Sequence, residues 1–223
     1  MPPPGAVNTD KPGAVQPIDA TALRDGLARC SRVVNRHARH LTQLDAVLGD
    51  GDHGDNLVIG FRAVDDLLAE LPANTPPGEL LRAVGHRLVA AVGGASGPLY
   101  GTACIEAGFS AGSAAVLDGP ALASMLRAAA DGLARRGRCM PGDKTILDTL
   151  APAAAAFGQA IEAGDDVPRA YAAGIRAAGR GMRSTRDLVA RRGLALRLGE
   201  RSVGTRDPGA VSCLLLLAAM GAR

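Results

Sequence analysis

Apolar side chains recur at three- and four-residue steps through most of the 223-residue chain. Such steps place residues on one face of an α-helix. The first run comprises Leu23, Leu27, Cys30, Val33 and Val34. Asp19 directly precedes this run, and its side chain can cap a helix that begins with Ala20. The pattern predicts eight helices and no convincing strand.

The other seven predicted helices are separated by glycine, proline and polar residues. The predicted ranges are 56–71, 79–92, 99–114, 121–136, a helix that opens at 141–145 with Asp143 as its cap, 169–191, and a last helix with Asp207 as its cap and Pro208 in its first turn. Gly137 follows the fifth helix as a plausible C-terminal cap. Lys144, taken alone, is interpreted as a solvated lysine in a first helical turn.

Four polar, glycine-rich segments interrupt the helical pattern at residues 44–56, 93–102, 141–145 and 198–210. They fall between predicted helices one and two, three and four, five and six, and seven and eight. In an antiparallel up-and-down helical array, every second connection lies at the same end. The order therefore predicts an eight-helix barrel in which all four segments meet at one rim.

The first polar segment, LDAVLGDGDHGDN, concentrates carboxylates. Asp50 and Asp52 are separated by one glycine, so both carboxylates can converge on one point. Carboxylates that crowd together raise each other's pKa, and a hard cation such as Mg²⁺ relieves the repulsion. An Asp/Gly-rich surface turn is the alternative for this segment alone. The spacing does not match an EF-hand loop.

Phosphate binding is the second chemistry that the polar segments favour. A helix that starts directly behind the aspartates would present free N–H groups and a positive dipole end. The segment GGASGPLYGT adds uncovered backbone N–H groups and the hydroxyls of Ser96 and Thr102. The pattern is not a Walker A motif, because the closing GK[ST] is absent.

Composition narrows the class of protein further. Apolar residues make up 47% of the chain but aromatic residues only 2%, so the core must be built from Ala, Leu and Val, which suits packed helices. The net charge of +3 is small and scattered, which argues against a nucleic-acid partner. The N-terminus lacks the pattern of a signal peptide, and the apolar run 210–220 is too short to span a bilayer. We therefore expect a cytoplasmic protein with no membrane partner.

Domain organisation follows from the same distribution. Residues 1–17 are Pro-rich and lack periodicity, so we expect a disordered tail. The polar segments are spread along the rest of the chain with no linker between them, which favours a single domain over 18–223. The four cysteines show no CxxC spacing, and three of them lie in apolar helical contexts as small buried hydrophobes.

These four segments, in this order, resemble the ADP-binding L subunit (DhaL type) of bacterial dihydroxyacetone kinases. The resemblance runs from about residue 41 to residue 219. It implies an all-α, eight-helix barrel that holds ADP or ATP and two Mg²⁺ at one rim. It further implies three metal-binding residues, which are Asp45, Asp50 and Asp52. The implied nucleotide-binding residues are His53, Gly54, Asp55, Asn56, Ala95, Ser96, Thr102, Gly137, Ile146, Asp207, Pro208 and Gly209.

One segment departs from the family pattern. Family members usually read GRASYLGERS, whereas this chain reads GLALRLGERS over 193–202. Leu194 replaces the usual arginine, and Leu196 and Arg197 replace the usual serine and tyrosine. A nucleotide contact is therefore lost or moved to Arg192 or Arg197.

The implied function is that of a phosphoryl-transfer subunit in a dihydroxyacetone (glycerone) kinase. The phosphate would pass to dihydroxyacetone held on a separate K subunit, with a phosphohistidine protein of the phosphotransferase system as the donor. Two alternatives stay open. One is an ATP-exchanging kinase subunit for a related ketose, and the other is a non-catalytic nucleotide-binding regulatory module.

Overall fold

The computed structural model describes residues 18–221, and eight α-helices account for most of them. The helices are α1 Ala20–Leu48, α2 His53–Glu70, α3 Pro77–Ala91, α4 Ser96–Ala111, α5 Gly119–Gly137, α6 Leu147–Glu162, α7 Val167–Ser184 and α8 Pro208–Gly221. Two 3₁₀ segments, Thr185–Asp187 and Leu194–Ser202, lie between α7 and α8. The all-α class is confirmed. The predicted disordered tail, 1–17, lies outside the described residues, and a single domain over 18–223 stays a prediction.

Short polar side chains set several helix starts. The Asp19 carboxylate accepts a hydrogen bond from the backbone N–H of Ala22 at 2.9 Å, so the predicted cap of α1 is confirmed. Asp118 and Asp166 cap α5 and α7 in the same way. A proline occupies the first or second position of both helices, where its missing N–H has no intrahelical partner to lose.

Several predicted helix boundaries were wrong. The first helix ends at Leu48, inside the segment 44–56 that the sequence assigns to a polar connection, and α2 begins at His53 rather than at residue 56. The fourth helix begins at Ser96 rather than at residue 99. The seventh helix ends at Ser184 rather than at residue 191, because Thr185–Asp187 turns as a 3₁₀ segment instead.

The region between α5 and α6 also differs from its prediction. The sixth helix begins at Leu147, so residues 141–145 form a turn and Asp143 is not its cap. Gly137 is the last residue of α5, and Arg138 takes the left-handed cap position with φ 48°. A pair of two-residue antiparallel strands, β1 (Ile18–Asp19) and β2 (Val116–Leu117), was not predicted.

The helices form a closed ring in which each one packs against the next and α8 packs back against α1. The core is built mainly from Ala, Leu and Val, as the composition predicts, and Phe157 is its largest fully buried apolar side chain. Within residues 18–221, no helix combines the length and the apolar character needed to cross a bilayer. The ring places the α1–α2, α3–α4, α5–α6 and α7–α8 connections at one rim.

Candidate functional site

A cavity of about 690 Å³ opens at that rim, and all four polar segments contribute to its wall. The α1–α2 connection supplies aspartates and His53, and the α3–α4 connection supplies the glycine-rich segment. The turn before α6 and the start of α8 complete the wall. The convergence that was inferred from segment order is therefore present in the structure.

Three carboxylates converge on one side of the cavity. Each of Asp45, Asp50 and Asp52 offers an oxygen atom, and these oxygens lie within 4.8 Å of one another. Asp45 lies in the last turn of α1, and its Oδ2 accepts hydrogen bonds from the backbone N–H groups of Gly51 at 3.0 Å, Asp52 at 3.0 Å and His53 at 3.2 Å. The Asp45 carboxylate thus fixes the path of the connection that carries the other two.

Backbone geometry in this connection depends on glycine. A Cβ atom at Gly49 would lie 2.4 Å from Asp45 Oδ1, closer than any real contact, and Gly51 has φ +77°. Although Asp52 is exposed, partial loss of hydration raises the pKa of its carboxyl, a hydrogen bond with Asn56 lowers it, and the charges of Asp50 and Asp45 raise it further. Carboxylate oxygens that lie this close together repel one another, and they fit a hard divalent cation such as Mg²⁺.

A chain of buried hydrogen bonds begins next to the aspartates. His53 Nδ1 lies 2.9 Å from Ser96 Oγ, and His53 Nε2 lies 2.8 Å from Ser212 Oγ. Ser212 Oγ lies 2.6 Å from the hydroxyl of Tyr100 and 3.0 Å from the carbonyl oxygen of Gly209. Burial lowers the pKa of the His53 imidazole, which favours the neutral ring, and the charge of Asp45 opposes this shift. The chain links the starts of α2, α4 and α8.

Lys144 lies on the cavity wall but is not the solvated lysine that the sequence predicts. Lys144 is only 2% exposed. Its φ of 62° is a left-handed backbone conformation that is uncommon for residues other than glycine. The ammonium donates to the carbonyl oxygens of Thr185 at 2.5 Å and Thr205 at 2.6 Å. Burial lowers the pKa of Lys144, and the nearby Asp207 carboxylate opposes that shift. Lys144 therefore ties the turn before α6 to the α7–α8 connection.

Asp207 has the capping role that was predicted for it. Its Oδ2 accepts the backbone N–H of Ala210 at 2.7 Å in the first turn of α8. Burial raises the pKa of the Asp207 carboxyl to about 7, the hydrogen bond from Ala210 opposes the shift, and the charge of Asp148 adds to it. The cavity wall thus carries a carboxyl group whose pKa lies close to neutral pH.

The turn at residues 141–145 is organised by two aspartates with different partners. Asp148 accepts the backbone N–H groups of Gly142 and Thr145 at 2.5 and 2.7 Å. Asp143 accepts from the backbone N–H of Met140 and from Arg192 Nε, both at 3.1 Å. Asp143 is engaged by an arginine 49 positions away, which explains why it does not cap α6.

The departing segment borders the same cavity. Leu194 lies on the wall with 42% of its surface exposed, whereas Leu196 and Arg197 lie outside the wall and are exposed. Arg192 lies on the wall, held by its ion pair with the buried Asp143. Of the two arginines considered as replacements for the usual one, only Arg192 reaches the cavity.

Most sequence-predicted site residues line the cavity together. They are Asp45, Asp50, Asp52, His53, Ala95, Ser96, Gly137, Ile146, Asp207, Pro208 and Gly209. Four others, Gly54, Asp55, Asn56 and Thr102, are outside its wall. Gly54 packs against α1, where a Cβ atom would lie 2.0 Å from the carbonyl oxygen of Ala38.

Sequence reasoning did not assign several cavity-wall residues to the site, among them Tyr100, Lys144 and Thr145, and it named Arg192 only as a possible replacement for the arginine missing at 194. Tyr100, Lys144 and Thr145 belong to polar segments that the sequence does identify. Those segments indicated the site, but no sequence pattern indicated that these particular side chains lie on its wall. Arg192 lies between predicted elements and had only the loss of the arginine at 194 to indicate it.

The fold and the site together define a helical-ring protein with a cavity at one rim and a cluster of three carboxylates on the cavity wall. Its sequence fits that class: the chain belongs to the DAK2 domain family, which matches residues 47–222. This membership confirms the resemblance drawn from the four motifs, and with it the prediction of a kinase subunit.

Individual relatives show how far the similarity extends. The chain is 38% identical over 200 residues to the ADP-binding subunit DhaL of the PEP-dependent dihydroxyacetone kinase of Escherichia coli, covering 90% of this chain and 95% of that one. It is 36% identical over 182 residues to L-erythrulose 1-kinase of Mycolicibacterium smegmatis, covering 81% of this chain but 32% of the relative. The crystal structure of the dihydroxyacetone kinase of C. freundii with AMP-PNP and Mg²⁺ superposes with a TM-score of 0.67 at 25% identity, over 98% of this chain and 37% of that one.

Proposed function

We propose that this chain is the nucleotide-binding phosphoryl-transfer subunit of a dihydroxyacetone kinase. The observation that carries the proposal is the convergence of three carboxylates in one cavity with the start of α2 and the glycine-rich start of α4. The similarity to DhaL subunits over nearly their whole length supports it. So does the likeness to a kinase structure that holds a nucleotide analogue and Mg²⁺.

The proposed metal ligands are Asp45, Asp50 and Asp52, which would hold two Mg²⁺ ions. Magnesium bound there would neutralise phosphate charge and orient the transferring group. His53 and Ser96 would lie beside the phosphates, with Ala95 and the N-terminal turn of α2. Asp45 would bind metal and would also fix the α1–α2 connection. Its Oδ2 accepts backbone N–H groups of that connection, and its Oδ1 lies close to Gly49.

Another part of the cavity wall would take the adenosine moiety. Gly137, Ile146 and the segment Asp207–Gly209 contribute to that wall, and Leu99 and Tyr100 add apolar surface. Gly54 would act by letting α2 approach α1 closely, and Asp55, Asn56 and Thr102 would act from outside the wall. Arg192 is the cation that we place nearest to the position of the arginine usual in the family.

The proposed reaction needs a second protein. The site in this chain would position the nucleotide and neutralise its phosphate charge, and the acceptor of the phosphate would be held elsewhere. We propose a K subunit that holds dihydroxyacetone as the acceptor partner. The names of several relatives include dependence on PEP or on the phosphotransferase system. A phosphohistidine protein that rephosphorylates bound ADP is therefore the proposed donor, in a cytoplasmic complex.

A second candidate is an ATP-exchanging kinase subunit for a related ketose. The similarity to erythrulose kinases, at 32% to 37% identity, favours this alternative. In that case nucleotide would leave the cavity in every turnover. The two candidates differ in nucleotide retention and in the phosphate donor, so one preparation can distinguish them.

The test begins with the protein as purified. Denaturation followed by mass spectrometry identifies retained nucleotide, and a metal assay counts bound magnesium. Retained ADP with about two Mg²⁺ per chain, together with product formation from phosphoenolpyruvate, the general phosphotransferase proteins and a K subunit, is the expected result. Activity that needs added ATP would favour the ketose-kinase alternative.

A matched pair of variants separates catalysis from general stability. Asp50→Asn removes a proposed metal ligand, whereas Asp66→Asn removes an exposed carboxylate on α2 away from the cavity. We expect the first to abolish transfer and the second to retain it. Transfer at the unsubstituted rate by Asp50→Asn would refute the proposed site, and intact partner binding without any transfer by the unsubstituted protein would indicate a regulatory module.

A further inference from the structure

The hydrogen-bond chain from Ser96 through His53 and Ser212 to Tyr100 contains four movable protons. Three belong to hydroxyl groups and one to the neutral His53 ring. Three of the contacts are 2.6 to 2.9 Å long, and Ser212 is only 1% exposed. Water therefore does not complete the hydrogen bonding of Ser212, and the protons must be shared among the protein groups themselves.

Each neutral tautomer of the His53 ring has an arrangement that satisfies every link. In the first, the Ser96 hydroxyl donates to His53 Nδ1, and Nε2–H donates to Ser212 Oγ. Tyr100 also donates to Ser212 Oγ, and the Ser212 hydroxyl donates to the carbonyl oxygen of Gly209 at 3.0 Å. Both lone pairs of Ser212 are then used. The Ser96 oxygen presents only lone pairs to the cavity.

In the second arrangement every donor points toward the cavity. Tyr100 donates to Ser212, Ser212 donates to His53 Nε2, and Nδ1–H donates to Ser96 Oγ. The Ser96 hydroxyl proton is then free to donate to a ligand, and the dipoles of the chain add along its length. The ring stays neutral in both arrangements, so they differ only in its tautomer.

An anionic ligand discriminates between the two arrangements. A phosphate oxygen next to Ser96 is repelled by lone pairs and attracted by a hydroxyl proton. We propose that Ser212 is a positioning residue that lets His53 switch from the Nε2–H to the Nδ1–H tautomer when a nucleoside diphosphate binds, so that Ser96 becomes a donor to the phosphate. This inference rests on the proposed nucleotide site.

Ser212 has the geometry that this role requires. It belongs to α8, it is not on the cavity wall, and its hydroxyl contacts three wall residues, His53, Tyr100 and Gly209. Its oxygen can accept from Nε2–H in one arrangement and donate to the bare Nε2 in the other. An alanine there can do neither, so one nitrogen of the buried ring would lack a partner in either tautomer.

The experiment compares Mg²⁺–ADP with adenosine as ligands for the full chain stripped of bound nucleotide. Ser212→Ala is expected to weaken Mg²⁺–ADP binding roughly tenfold, the order of one hydrogen bond, and to change adenosine binding less than twofold. Tyr100→Phe keeps the ring on the wall and is expected to weaken Mg²⁺–ADP binding by a smaller factor in the same direction. If Ser212→Ala does not fold, measurement of the His53 tautomer in the unsubstituted protein keeps the test decisive.

The control is Ser31→Ala, which removes another buried hydroxyl, one that donates to Asp65 at 2.6 Å between α1 and α2. We expect both affinities to be unchanged in this variant. A purely structural role for Ser212 would weaken adenosine and Mg²⁺–ADP binding alike, and that result would overturn the inference.

Nitrogen-15 NMR of the histidine rings gives an independent readout. The His53 signals are expected to report Nε2–H in the free protein and Nδ1–H with Mg²⁺–ADP. An unchanged tautomer on binding would overturn the inference while leaving the nucleotide site intact. If the unsubstituted protein bound neither ligand, the proposed function and this inference would both be refuted.

Discussion

Asp50→Asn should make the metal-free protein more stable, although it removes a proposed functional residue. Asp50 faces Asp45 and Asp52 at oxygen separations of no more than 4.8 Å. Two like charges at that distance repel by about 0.9 kcal/mol in a water-like dielectric. Physiological salt roughly halves this repulsion, because the screening length is about 8 Å. Removing both repulsive pairs should therefore raise the free energy of unfolding by about 1 kcal/mol.

The same substitution should reverse its effect when magnesium is present. A gain of about 1 kcal/mol corresponds to a rise in Tm of roughly 2–4 °C for a chain of this size. Magnesium at about 100 times its Kd stabilises the native state by about 2.7 kcal/mol per site. The unsubstituted protein gains this stabilisation and the variant loses most of it, so the order of the two Tm values should invert.

Thermal unfolding at constant ionic strength, in EDTA and along a magnesium titration, measures both effects. Asp66→Asn is the control, because it removes one exposed carboxylate of α2 that is not in the cluster. We expect this control to change the Tm in EDTA and the Tm in magnesium by no more than about 1 °C each, as is usual for isolated surface substitutions. A lower Tm for Asp50→Asn in EDTA, or a magnesium response equal to that of the unsubstituted protein, would refute the reasoning.

Three further predictions concern the rest of the cavity wall. Lys144→Met should lower the free energy of unfolding by about 2–4 kcal/mol in urea titrations, because two carbonyl oxygens lose their donor; a loss below about 0.5 kcal/mol would contradict this. Burial raises the pKa of Asp207 to about 7 from 3.8, so the native state holds its proton more tightly and stability falls as pH rises from about 4 to 7. Asp207→Asn should remove that fall, so its stability relative to the unsubstituted protein should increase over this interval, and parallel pH curves would argue against it. Leu194→Arg should tighten ADP binding in calorimetry and Arg192→Ala should weaken it, because Leu194 and Arg192 both lie on the cavity wall; unchanged affinity in both would contradict the assignment.

Much of the fold and the rim could be predicted because the relevant information is local. Apolar periodicity locates the helices, and the alternation of helices with polar segments places those segments at one end of a ring. The cap at Asp19 follows from a side chain that bonds a backbone group three residues away. The helix α2 starts three residues earlier than predicted, and Gly54 in its first turn packs closely against α1.

The remaining features depend on partners that are distant in the sequence. Lys144 looks like a surface lysine until the carbonyl groups of Thr185 and Thr205, 41 and 61 positions later, are brought to it. Asp143 resembles a helix cap, but Arg192 and the Met140 N–H engage its carboxylate. The contact between His53 and Ser212 spans 159 positions and needs the ring to close. No local pattern encodes these pairings.

The closure of the ring by α8 against α1 also sets an order of events during synthesis. Asp45 and the aspartate connection leave the ribosome early, whereas Asp207, Gly209 and Ser212 belong to the start of the last helix. Contacts of such long sequence separation form late, because the entropy of loop closure opposes them until they are made. A nascent chain therefore possesses its carboxylate cluster long before it possesses a cavity. The proposed nucleotide site is therefore assembled only after α8 has docked against α1, so nucleotide binding would report that docking.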